Sequence, residues 1–233
     1  MARSTQIFSN ETLSMLNTTE VKNKKDTREE SFIYYKNGAV KTTKESVELL
    51  KYSEIDDLVW GDQVIDRDIK IVDESDGVFK TFIWRLSGED KERYYTLKSV
   101  IGYLMHSHQD SARPKAIIFN DEMVSDDISN GGSGKGLIHK AINHIKNVVL
   151  EDGMKFDPDS QFAYQKVNRD TQVYLLDDVK KNFNFENLFS IVTEGMTVEK
   201  KGKDAFTIPF VESPKISITT NYTVRGDGAS FRR

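Results

Sequence analysis

The stretch Ser129-Asn130-Gly131-Gly132-Ser133-Gly134-Lys135-Gly136 puts three glycines within four positions and follows them at once with a lysine. Each glycine would weaken a helix or a strand by roughly 0.5–1 kcal/mol relative to alanine, so the cluster marks backbone that needs conformational freedom. Such a loop turns successive backbone N–H groups toward one point, and a helix beginning directly after it adds the positive end of its dipole. The product is an anion cradle. Lys135 then sets a point charge on outer phosphates, as the lysine of the G-x-x-x-x-G-K-[ST] phosphate loop does. Two positions depart from that pattern: Ser129 stands where the first glycine is usual, and Gly136 stands where a Ser or Thr hydroxyl binds magnesium. Taken alone, the eight residues also fit a solvated surface loop.

The motif has meaning between a strand and a helix, and both flanks fit. Lys115-Ala116-Ile117-Ile118-Phe119 is a short apolar run preceded by Pro114 and closed by Asn120 and Asp121, which predicts a buried strand. After the loop, Leu137, Ile138, Ala141, Ile142 and Ile145 recur at helical spacing and supply a face that packs on a sheet.

Further out, residues 1–30 are polar, end in a charged run from Lys22 to Glu30, and read as a disordered tail. A small mixed region, 31–76, opens with a hairpin: Phe32-Ile33-Tyr34-Tyr35 and Ala39-Val40-Lys41-Thr42 flank Lys36-Asn37-Gly38. It continues with a short helix near Lys44 to Leu50 and strand-like Leu58-Val59-Trp60 and Ile69-Lys70-Ile71-Val72. Residues 77–113 read as a helical bundle, with Leu97, Val100, Ile101, Leu104 and Met105 as its core stripe. Residues 114–233 carry strands near Val148, Val173 and Lys215, a helix around Phe185 to Thr193, and a hairpin over Met196–Ile208. Alternating strands and helices after a phosphate loop predict an α/β fold with a mostly parallel sheet and ligands at the carboxyl ends of the strands.

Composition narrows the classes. The chain has 233 residues, 30% of them charged, a mean hydropathy of −0.55 and a net charge of −4. No run approaches the roughly 18 apolar residues of a membrane span, and Met1 to Asn10 lacks the apolar core of a secretory signal, so a cytoplasmic protein is expected. The absence of cysteine removes disulfides and thiolate metal sites. A protein that coats nucleic acid is usually basic over a broad face, so any grip on DNA here is local or built by several subunits around a channel.

Chemistry is expected at strand ends. Val173-Tyr174-Leu175-Leu176-Asp177-Asp178 finishes in two acids, one suited to the water shell of Mg²⁺ and the next to orienting or deprotonating a water. Lys215-Ile216-Ser217-Ile218-Thr219-Thr220-Asn221 ends in an amide that can bond both a terminal phosphate and that water, although asparagine also closes strands for local reasons. Lys200, Lys201 and Lys203 cluster on the second hairpin, where they can reach phosphates or simply face solvent. His106 and His108, two apart, do not face the same way on a helix, and His139 and His144 show no acidic or cysteine partners, so none receives a metal role. Asp121 and Glu122 read as a solvated strand end.

Several of these pieces together bring a family into view. Gly131 to Gly136, Leu175-Leu176-Asp177-Asp178-Val179, Thr193-Glu194-Gly195 leading into Val198-Glu199-Lys200-Lys201, and Ile218-Thr219-Thr220-Asn221-Tyr222 resemble superfamily 3 helicases. The likeness is to the helicase part of phage and plasmid primase-helicases of the poxvirus type, and it extends upstream through Ser99 to Leu104 and Lys115 to Ile118. It implies a P-loop NTPase of AAA+ type, using ATP and Mg²⁺, in a homo-hexameric ring that moves on single-stranded DNA in a bacterial cell. By position, Asn130, Gly131, Gly132, Ser133, Gly134, Lys135 and Gly136 resemble the phosphate loop, Asp177 the Mg²⁺ carboxylate, Asp178 the catalytic acid and Asn221 the sensor. Ser133 or a water is left to replace the hydroxyl missing at Gly136. Lys200, Lys201 and Lys203 resemble the pore hairpin, and Arg232 and Arg233 the arginine that reaches a neighbouring subunit's phosphate. Members of the family continue past the point where this chain stops, so a nucleotide domain truncated at its C-terminus is expected, and no primase catalytic domain is evident. Two alternatives of other kinds stand beside this reading: a small-molecule kinase built on the same loop, and a non-catalytic remnant that binds DNA or replication partners.

Overall fold

The computed structural model describes residues 9–16, 24–72, 77–121 and 132–224. In chain order the elements are α1 (Asn10–Ser14), β1 (Ser31–Tyr35), β2 (Gly38–Thr42), β3 (Val47–Leu50), β4 (Val64–Ile65), α2 (Val78–Leu86), α3 (Lys91–Met105), β5 (Ala116–Phe119), α4 (Lys135–Asn143), β6 (Val148–Asp152), β7 (Val173–Asp177), α5 (Phe189–Thr193), β8 (Gly195–Val198), β9 (Phe206–Pro209) and β10 (Lys215–Thr219). Among them, no helix is long and apolar enough to cross a membrane.

Strand order follows from burial. The middle strands of the second sheet are its most buried: Val173, Tyr174, Leu175 and Leu176 of β7 are all buried, as is every residue of β10. The apolar run of β7 is what a strand covered on both faces shows in a parallel sheet flanked by helices. The sheet runs β5-β10-β7-β6, and each neighbouring pair is parallel. Register is fixed along β10, with Ile218 opposite both Ile118 and Leu176. All four strands therefore finish at the same edge.

Two cores cover the sheet. On one side Ile83 of α2, Ile101 and Leu104 of α3 and Ile138 and Ile142 of α4 join Phe119 and Val173. On the other, Phe156, Phe183, Phe185, Leu188 and Ile191 pack with Tyr174, Leu176, Ile216 and Ile218, and extend to Met196, Val198 and Ile208 of the β8–β9 pair. Helix α3 starts where the sequence directs, since the Asp90 carboxylate accepts a hydrogen bond from the Arg93 N–H at 2.8 Å.

The N-terminal sheet, β3-β2-β1-β4, is separate. Its hairpin closes through Lys36 and Asn37 with Tyr35 opposite Gly38, so Gly38 opens β2 instead of lying within the turn. Residues 44–50 do not form the helix that their composition suggests; Val47–Leu50 forms β3, antiparallel to β2, with Glu48 opposite Lys41. Pairing to an available strand edge, with opposite charges facing across it, outweighs the modest helix preference of Glu and Leu. Leu58 makes only an isolated bridge and residues 69–72 are not strand. Asn37 ties that last segment down, donating to the Ile69 carbonyl at 2.8 Å and accepting from the Ile69 N–H at 3.0 Å.

Residues 24–30, whose composition is that of a disordered tail, run against the fold. The Asp26 carboxylate accepts from the Phe32 N–H and from the Ser107 N–H, both at 2.8 Å. The Lys24 N–H donates to the Leu58 carbonyl at 2.8 Å. Composition misleads here because the polar groups of this run are used as staples.

Candidate functional site

Helix α4 starts at Lys135 because Gly134 turns the chain. Gly134 has φ 87°, the left-handed region, and a Cβ there would lie 3.2 Å from both Leu86 Cδ1 and Phe82 Cζ of α2. Only glycine suits both the dihedral and the close approach. Gly132 also has positive φ, at 98°. The N-cap of α4 makes no side-chain hydrogen bond, and the first N–H groups of a helix have no partner within the helix itself. Asn130 and Gly131 lie outside the described residues.

The lysine is aimed by its own helix. One turn on, His139 is buried, with Nδ1 2.9 Å from the Lys135 carbonyl and Nε2 2.7 Å from Ser217 Oγ of β10. A carbonyl only accepts, so Nδ1 carries the proton and Nε2 accepts from the serine. Burial holds this imidazole below its ordinary pKa, outweighing the hydrogen bond to the Lys135 carbonyl and the Asp177 charge, which act to raise it. A neutral histidine thus pins α4 to the centre of the sheet. Nothing in the residue pattern alone assigns His139 this role; its i+4 spacing from the loop lysine is the available signal.

Strand ends supply the remaining groups. The Thr219 hydroxyl donates to Asp177 Oδ1 and accepts from the Asp178 N–H, both at 2.7 Å. This bridge holds Asp178 at φ 56°, a left-handed conformation that aspartate tolerates better than most residues. Asn221 then joins acid to base: its Nδ2 donates to Asp178 Oδ1 at 2.9 Å, and its Oδ1 accepts from Lys135 Nζ at 2.8 Å. The structure therefore brings Lys135, Asn221 and Asp178 into one chain of contacts, and Thr219 ties Asp177 to it.

The fourth member is Asp121. Its carboxylate lies 2.6 Å from Lys135 Nζ, and the Asp121 side chain is only 8% exposed. Its place after an apolar run suggests a solvated strand end; the residue instead turns inward, because the exit of β5 abuts the start of α4. Burial raises its pKa, but the adjoining Lys135 ammonium and the nearby Ser133 hydroxyl prevail and hold it below the usual carboxylate range. Glu122 lies outside the described residues.

The donor set fits a nucleotide's phosphates: N–H groups at a helix start, glycines at positive φ and a lysine beside them. Among the described residues no group of three or more metal-ligating side chains forms, so a cation at Asp177 would draw most of its ligands from phosphate and water, as Mg²⁺ commonly does. Gly136 is exposed with open space where a Cβ would stand.

Elsewhere, β8 and β9 form their own two-stranded sheet. Lys200 donates to Asn168 Oδ1 and lies 5.8 Å from the centre of the Phe206 ring, which Arg169 approaches at 5.1 Å. Lys201 and Lys203 are exposed at the turn. Arg232 and Arg233 lie outside the described residues.

A family model described as a family of unknown function (DUF5906) matches residues 127–233, a range that holds the loop, both acids, the lysine hairpin and Asn221. No curated protein matches the chain. Among solved structures, the chain is similar to "The A form apo structure of NrS-1 C terminal region-CTR", at 14% identity and a TM-score of 0.45, over 84% of this chain and 55% of that one. The chain thus spans about half the length of that structure.

Proposed function

We propose that this chain is the ATP-hydrolysing module of a superfamily 3-type DNA helicase, a P-loop NTPase of AAA+ type that moves on single-stranded DNA as a homo-hexamer during phage or plasmid replication. One observation carries the reading. Lys135, Asn221 and Asp178, distant in sequence and placed at the exits of neighbouring parallel strands and the start of α4, share an unbroken chain of hydrogen bonds. Ligands of open parallel sheets bind at that edge.

Each residue has a task that follows from its position. Lys135 and the N–H groups at the start of α4 hold the outer phosphates. Asp177 orients the water shell of Mg²⁺, which when bound neutralises charge building on the phosphates. Asp178 accepts a proton from the attacking water, and Asn221, in contact with both Asp178 and Lys135, positions that water relative to the phosphate. Lys200, Lys201 and Lys203 contact the DNA backbone, a local grip that suits a chain of net charge −4. The roles of Asn130, Gly131, Arg232 and Arg233 rest on the family resemblance alone.

The test is ATP turnover with and without single-stranded DNA, alongside the mass of the assembly. DNA-stimulated turnover that disappears in Lys135→Ala and Asp178→Asn is expected. Turnover indifferent to DNA would point to a small-molecule phosphotransferase. The missing hydroxyl at Gly136 favours a second reading, a non-catalytic remnant that binds DNA or replication partners; no turnover, with Lys135→Ala indistinguishable from wild type, would select it.

A further inference from the structure

We propose that Asp121 is a built-in competitor for the anion that Lys135 serves, a carboxylate that occupies the lysine until a nucleotide's phosphate displaces it. The inference rests on the nucleotide-binding reading above and adds to it a residue that sets affinity.

Three observations converge. Lys135 Nζ forms an ion pair with the Asp121 carboxylate 2.6 Å away and donates to Asn221 Oδ1 at 2.8 Å, so its charge is met within the protein. Both Asp121 carboxylate oxygens are buried and make no other hydrogen bond among the described residues, so the lysine's charge is what faces them. The residue is tied to the end of β10: the Asp121 N–H donates to Asn120 Oδ1 at 2.8 Å, Asn120 Nδ2 donates to the Tyr222 carbonyl at 3.1 Å, and the Thr220 N–H donates to the Phe119 carbonyl at 3.1 Å.

Both side chains of the pair are largely shielded, 14% exposed for Lys135 and 8% for Asp121. In such surroundings two anions on one ammonium repel strongly, so phosphate and carboxylate exclude each other. Asp121 thus keeps the free lysine neutralised and lowers affinity for any nucleotide, whichever phosphate is outermost.

Calorimetric titration of the full chain with Mg-ATP and with Mg-ADP tests this. Asp121→Asn keeps the side chain's size and removes its charge; Asp121→Ser serves as the second variant if the first misfolds; Glu45→Gln, an equal charge change on an exposed residue of the N-terminal sheet, is the control. Both Asp121 variants are expected to bind ATP and ADP about tenfold more tightly than wild type, while the control does not. Damage to a merely structural residue would not tighten binding. Binding seen only in the Asp121 variants counts as the expected result. Wild-type binding with unchanged or weaker affinity in the variants overturns the competitor and leaves the nucleotide reading in place. Absence of binding in wild type and both variants overturns the two together.

Discussion

Asn221 meets an acid with its amide nitrogen and a base with its amide oxygen, so only one orientation of the group satisfies both neighbours. An aspartate there would set a second carboxylate against Asp178, and a leucine would leave Lys135 and Asp178 each short of a partner. The residue types of this site are legible in the sequence because the acids and the amide stand at the exits of strands and the lysine follows a glycine-rich loop, places where packing gives no reason for Asp, Asn or Lys. Asp121 and His139 are not, since an acid after a strand and a histidine on a helix have ordinary explanations, and only the packing of α4 against β5 and β10 gives them partners. Gly136 yields a direct prediction. With open space at its Cβ position, Gly136→Ser fits without strain and restores the hydroxyl of the usual loop. It is expected to tighten Mg²⁺-dependent nucleotide binding by about tenfold, on the scale of one added charge-assisted hydrogen bond, as read by titration with and without the metal.

At the scale of elements, the periodic segments are legible and the short ones are not. The stripes of α3 and α4 and the runs of β5, β7 and β10 each bury a face long enough to declare itself. The four residues of β3 cannot, because their structure is set by β2, a partner invisible in a local window. Gly134 joins two elements: it starts α4 and receives Phe82 and Leu86 of α2. Gly134→Ala is expected to cost about 1–2 kcal/mol from the left-handed dihedral alone, measured as a lower urea midpoint, and to weaken nucleotide binding by tilting the start of α4. The β8–β9 hairpin carries its own prediction. Lys201→Ala and Lys203→Ala are expected to weaken single-strand binding and to flatten its log–log salt dependence by about 0.7 for every phosphate no longer neutralised. Equal affinity at low salt in both variants would remove the hairpin from the interface.

For the molecule as a whole, Asp26 is the point where the N-terminal segment meets the sheet. Its two oxygens bond backbone N–H groups on either side, and it is the carboxylate facing the buried Lys146 and Lys215 and the half-buried His106. Asp26→Ala is expected to lower stability by about 2–4 kcal/mol in urea unfolding, since it leaves buried cations without their counter-charge. The same cluster sets a pH dependence. Burial pushes Lys215 down to about 8 against the pull of Asp26, and pushes Lys146 down as well. The unfolded chain then holds more protons than the folded one between about pH 8 and 10, so stability rises with pH in that window. His139 and His106, also lowered by burial, act alike in a lower window: their contribution is complete above about 6.5 and is lost as the pH falls from there through their lowered folded-state values. Melting temperatures from pH 5 to 9.5 are expected to climb at both ends of the range, with Lys215→Met flattening the upper rise and His139→Gln the lower. Strand β10 runs from that lysine to Thr219, a rod about 13 Å long clasped along its length by β5 and β7. A slip of one residue would turn all its side chains over, so it serves as a ruler whose gradations are the strand spacing, about 4.8 Å to either side. Insertions and deletions confined to the exposed turn of the lysine hairpin, between β8 and β9, can therefore accumulate without altering the distance from the lysine of α4 to the paired acids.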